Sequence, residues 1–177
     1  VPFIGPVPAG APAVAVVAIG AGMLLPALAR ARGEARLIRD RNNLNQIAKG
    51  LATYLNEFGD NRFYPRGLGE LWDKKIIPDP GVFVSPLDRA PPKLPNGLAC
   101  SYGSCFDRHP NRIFRDDFPP NVICAWDRIP FEPGRRNVMF FDSHVEAMDE
   151  ARFAGLLQEL DALAAKLQER PDKKGEF

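Results

Sequence analysis

Residues 11–58 read as one long helix that passes between two solvent regimes, and the rest of the chain has to be fitted to it. Residues 13–28 (AVAVVAIGAGMLLPAL) carry no charge and are mostly small or aliphatic. Residues 30–58 are charged on one side, with apolar residues at Leu44, Ile47, Ala48, Leu51, Tyr54, Leu55 and Phe58. Steps of three, four and seven place these on one helical face. A helix that is apolar all round needs a bilayer or partner helices. An amphipathic one needs only a domain to pack on, and the later chain has to supply it.

The 177 residues leave room for one compact domain beyond the helix. Eighteen prolines favour short strands and loops over a helical bundle. A net charge of +1 gives no electrostatic case for nucleic acid or for an acidic substrate. Residues 1–12 hold prolines at 2, 6, 8 and 12 and are expected to form an extended arm. The chain opens on Val1, so either upstream residues were removed or the numbering starts within a longer precursor; a cleaved secretory segment fits both. The apolar membrane or assembly segment is 13–32, and Pro26 is expected to kink it. Residues 13–28 make roughly 24 Å of helix, short of a bilayer core of roughly 30 Å.

Five arginines (30, 32, 36, 39, 41) against Glu34 and Asp40 give the next stretch a local charge of +3. That flank reads either as a solvated helix face or as an interfacial one, and taken alone it would keep its side of a membrane cytoplasmic. Gly59-Asp60-Asn61 should end the helix. A globular domain at 33–148 follows. It has a short helix at 68–75, a proline-rich loop at 85–97 and strand candidates at 98–106, 121–127 and 137–145. Asp142-Ser143 should turn a hairpin that returns through 144–148. Asp149 caps a final amphipathic helix at 149–170, with Phe153, Leu156, Leu157, Leu160, Leu163, Ala164 and Leu167 on one side. Residues 171–177 form a tail. The predicted fold is therefore α+β: a long N-terminal helix packed on a small antiparallel sheet, with a C-terminal helix.

Three stretches in this order resemble a known family. Residues 24–60 (LLPALARARGEARLIRDRNNLNQIAKGLATYLNEFGD) look like the N-terminal helix of bacterial type IV pilin-like proteins and pseudopilins. Residues 137–148 (NVMFFDSHVEAM) are similar to the C-terminal hairpin of the subgroup with a His-x9-Asp-Gly motif. Between them, YPRGLGELWDKKIIPDPGVFVSPLD follows that subgroup's order of Tyr-Pro, short helix and Phe-x-Cys-Pro loop. The chain departs from the pattern at four places: Ala9 stands where the family has its early Glu, Glu132 at the His, Ser143 at the Gly and Ser85 at the loop Cys. The resemblance implies a non-enzymatic structural subunit, without cofactor, in the cell envelope. It would be anchored in the inner membrane, with its domain in the periplasm or outside. Its partners would be other copies of itself or the subunits of a membrane complex, on which it could instead be an accessory. Without the early Glu, association falls to the helix face of Val14, Val17, Gly20, Gly22, Leu24, Leu25 and Leu28, where small residues allow close backbone approach.

The remaining chemistry centres on three cysteines and two histidines. Cys100 and Cys105 flank SYGS closely enough for a small disulfide loop in an oxidising compartment. With Cys124 and His109 they would instead offer a zinc or redox centre, the alternative reading from another class. Buried, inert thiols are the favoured reading of the three. His144, beside the turn, is expected to bond Glu146 or the backbone. Asp116, Asp117 and Asp127 lack calcium-loop spacing and read as solvated carboxylates. No phosphate-binding glycine motif occurs.

Overall fold

A computed structural model describes residues 11–60, 62–131 and 134–169, with side chains from residue 25 onward. Residues 1–10 of the expected arm, the tail and the Glu132 position lie outside the described residues; Ala11 and Pro12, expected in the extended arm, are already helical. The chain divides into two units, Val1–Arg36 and Leu37–Phe177. The fold is α+β, as the periodicities predict.

Helix α1 runs Ala11–Glu57 and contains Pro26. The first unit holds its residues 11–36. The second unit starts on its residues 37–57, where Leu44, Ile47, Ala48 and Leu51 are all buried. The stripe fades toward its end: Tyr54 and Leu55 are half-buried and Phe58 is 44% exposed, against the expectation that it would be core. Phe58 instead packs on Tyr54 and takes the Lys74 ammonium over its ring at 5.2 Å. Gly59 ends the helix for a steric reason, since a Cβ there would sit 2.2 Å from the Phe63 carbonyl oxygen. The left-handed residue of the stop is Asp60, at φ 50°.

After the short helix α2 (Gly69–Asp73) and a 3-10 turn (Pro80–Phe83) comes a four-stranded antiparallel meander. Its strands are β1 (Tyr102–Ser104), β2 (Ile123–Asp127), β3 (Arg135–Phe140) and β4 (Val145–Asp149). The first strand is shorter than the 98–106 expected, because the Ser104 hydroxyl caps helix α3 (Cys105–Arg108) by accepting the Asp107 N–H. The hairpin turn falls where expected, with Ser143 at φ 73° and Met139 facing Val145.

Asp149 accepts the Arg152 N–H at 2.8 Å and starts α4 (Glu150–Ala164). This helix docks on its own domain through Phe153, Leu160 and Ala164. It stops six residues before the 170 expected. There the chain turns to give its Leu167 and Gln168 carbonyls to Arg112 and to the Ile113 N–H, and those bonds replace further helical ones.

Within this unit the sheet is covered on both faces. Successive residues of β3 point oppositely: Asn137 reaches Asp40 of α1, whereas the Arg136 guanidinium lies 4.2 Å over the Phe153 ring of α4. The core is accordingly two apolar layers with β2 and β3 between them. An aromatic group of Tyr64, Phe106, Phe114, Phe118 and Phe141 closes one end, its paired rings 4.9–6.0 Å apart.

Candidate functional site

The residues predicted for association all fall within helix α1. They are Val14, Val17, Gly20, Gly22, Leu24, Leu25 and Leu28. The side chains of Val14 through Leu24 lie outside the described set. Leu25 and Leu28 are 67% and 48% exposed, and every side chain described from 25 to 36 is exposed. Among the described residues, no helix is long and apolar enough to cross a membrane.

The cysteines are buried thiols, the reading favoured from the sequence, and not the disulfide loop. All three are free and buried, so Cys100 and Cys105 are not bridged. The Cys100 thiol is turned toward the Tyr102 carbonyl at 3.4 Å, and burial pushes it up to about 11. The neighbour of the Cys105 thiol is Cys124. Burial first, and that contact second, hold Cys105 well above its ordinary value. His109 does not join them; its Nε2 lies 2.9 Å from Asp161 Oδ1, beside the two-pronged Arg108–Asp161 pair at 2.7 Å. Among the described residues, no three His, Cys, Asp or Glu side chains are grouped to hold a metal ion. His144 bonds neither Glu146 nor the backbone through its ring. It stacks on Phe140 at 4.1 Å and pairs with Asp142, while Glu146 pairs with Arg152.

The most unusual chemistry is buried between α1 and the sheet. Asp40, read from the sequence as one charge of a solvated flank, is wholly buried. Its Oδ1 accepts the Tyr102 hydroxyl and its Oδ2 accepts the Asn137 amide, each at 2.8 Å. Asp127, read as a loop carboxylate, is buried next to it. Its Oδ2 accepts the Asn137 backbone N–H at 2.9 Å, and Oδ1 meets no donor among the described residues. Desolvation, and then the charge of Asp40, push the Asp127 carboxyl up to about 8. At neutral pH it therefore holds a proton. Two facing carboxylates repel while both are charged, whereas one shared proton makes their contact a hydrogen bond. Burial and the adjacent Asp40 also hold the Tyr102 hydroxyl far above the usual phenol range. Arg136 completes the group from the other face. It donates Nη1 to the Asp127 carbonyl, and Nε and Nη2 to Glu150, all at 2.7 Å.

A separate surface cleft of about 540 Å³ is lined by Arg66, Glu70, Asp73, Lys93, Asp107 and Arg128, among others. Each of its acids is engaged from the protein side. Tyr54 donates to Glu70 at 2.6 Å, Asn96 to Asp73 at 2.9 Å and Ser104 to Asp107 at 2.6 Å.

Comparison with family models, with curated proteins and with solved structures returns no match.

Chemically, the buried carboxylates do not line the cleft. Buried within the domain, their hydrogen bonds fix how α1 seats on β1 and β3. A slip of α1 by one residue would leave Asp40, Tyr102 and Asn137 unsatisfied, at a cost of about 1–3 kcal/mol for each group. Sequence reasoning missed Asp40 because a carboxylate among arginines carries the signature of a solvated helix face. The one available signal was its position on the stripe, four residues before Leu44 and seven before Ile47.

Proposed function

We propose that this chain is a non-enzymatic structural subunit of a cell-envelope assembly, pilin-like or pseudopilin-like, that associates through the N-terminal half of α1. The observation that carries the reading is the exposure of Leu25 and Leu28 at the end of an uncharged helical stretch. Apolar side chains at this density favour a partner helix over water. The covered sheet supports the same reading, because the domain satisfies the faces of its own sheet. The partner is another copy or a subunit of a membrane complex. Ala9, in place of the early Glu of the resembling family, favours the accessory role on such a complex over a standard filament.

The test is association of the full chain in mild detergent, followed by sedimentation velocity. Gly20→Leu with Gly22→Leu enlarges the close-approach surface without adding charge. Overpacking of a tight contact costs about 1–3 kcal/mol, so association should weaken roughly 5- to 150-fold while the circular dichroism of the domain stays unchanged. Leu25→Gln with Leu28→Gln should weaken it in the same direction. Association unaltered in both double variants would remove the helix face from the mechanism.

A further inference from the structure

Ser104 faces Ala125 across the β1–β2 ladder, so the next residues along, Cys105 and Cys124, meet where β1 gives way to α3. Cys124 is also the residue that β2 inserts against β3, since Ile123 pairs with Phe140 but Ala125 pairs with Met139. A bulge re-aims the side chain it inserts. Here the re-aimed thiol lies against that of Cys105, with both residues buried. The two differ in access. Cys124 lines a cavity of about 220 Å³ beneath Ala48, Leu51, Ala52 and Tyr64, with the exposed Ala52 and Ser143 at its rim. Cys105 does not line it, and Cys100 is turned away toward the Tyr102 carbonyl.

We propose that Cys105 and Cys124 form a disulfide by thiol–disulfide exchange with a small disulfide that enters the cavity at Cys124. The Cys124 thiolate attacks one sulfur of the incoming disulfide. That S–S bond breaks, and the departing thiolate takes up the proton that Cys124 released. The Cys105 thiolate then attacks Cys124 Sγ and expels the second thiolate, which takes up the proton from Cys105. In sum, two protein thiols lose two electrons and two protons, and the small disulfide becomes two thiols. Only the second step depends on Cys105, whose burial disfavours the thiolate. Conversion of the mixed disulfide into the bridge should therefore rise about tenfold per pH unit.

The experiment exposes the full native chain to bis(hydroxyethyl) disulfide, quenches with acid, alkylates in denaturant and maps the peptides by mass spectrometry. The expected product is a Cys105–Cys124 crosslinked peptide with Cys100 recovered as a free thiol, in protein that melts at a higher temperature than the reduced chain. Cys105→Ser should stop at a mixed disulfide on Cys124. If that variant fails to fold, the wild-type map still decides. Three results would overturn the proposal: a bridge to Cys100, a mixed disulfide that persists on Cys124 in the wild type, or a native chain left unreacted where the denatured chain is modified.

Discussion

Replacing Asp127 by Asn tests the shared-proton account of the buried carboxylates. In the unfolded chain Asp127 releases its proton near the ordinary value of 3.8, whereas in the fold it holds it to about 8. Between those values the folded state binds one more proton than the unfolded state, so stability falls as pH rises. Its contribution is complete below about pH 4, declines to about pH 8 and is flat above that. Four pH units at tenfold in the folding equilibrium each amount to on the order of 5 kcal/mol, comparable with the whole stability of a small domain at about 5–15 kcal/mol. Asn copies the protonated acid: its carbonyl accepts the Asn137 N–H and its amide donates toward Asp40. Urea denaturation from about pH 5 to about pH 9 should show the wild type losing stability by several kcal/mol, with Asp127→Asn nearly level across that range. The curves should approach each other at the acid end and separate at the alkaline end, with the variant the more stable. Parallel curves, or a variant destabilised equally at every pH, would refute the shared proton.

Phe153→Ala should cost about 3–5 kcal/mol, because the ring is buried between Trp126 at 5.7 Å and the Arg136 guanidinium; the denaturation midpoint and the Trp126 fluorescence should change together. Gly59→Ala should cost about 1–3 kcal/mol, since its Cβ meets the backbone at Phe63 and Leu55 rather than a movable side chain; a thermal melt measures it. Asp161→Asn should cost less than about 1 kcal/mol at neutral pH, because the pair is more than a third exposed and salt-screened. Arg108, and then His109, hold the Asp161 carboxyl below its usual value, so its contribution is present above the unfolded carboxylate range and is lost as pH falls through the lowered one. Melts of variant and wild type should accordingly converge in acid.

The parts of the fold governed by periodicity were legible in the sequence. Leu44, Ile47, Ala48 and Leu51 announce their burial by spacing alone, and Asp149 sits where a helix start requires a side-chain acceptor. The Asp142-Ser143 turn was readable because two small polar residues interrupt an alternating apolar pattern, and the structure gives Ser143 the left-handed φ of the turn. What escaped depends on contacts distant in the chain. Asp40 and a solvated aspartate look the same until Tyr102 and Asn137 are placed beside it. The Cys105–Cys124 contact needs a ladder register and a one-residue bulge, neither of which leaves a local mark. The early end of α4 is set by Arg112 and Ile113 on a different loop. Local propensity cannot report a bond that long-range packing creates.

The bond from Asn137 to Asp40 spans 97 residues of chain. During synthesis the helix leaves the ribosome first, and its stripe has nothing to cover it until β3 follows. At about 5–20 residues per second the delay is on the order of 5–20 s, far longer than a helix takes to form. Loop closure over such a distance favours a late, cooperative final step. For those seconds Leu44, Ile47 and Leu51 stay uncovered beyond the charged stretch at 30–41, so the nascent helix presents a second apolar surface besides residues 13–28. Seating Asp40 against the sheet is then the event that commits residues 37–57 of the helix to the domain.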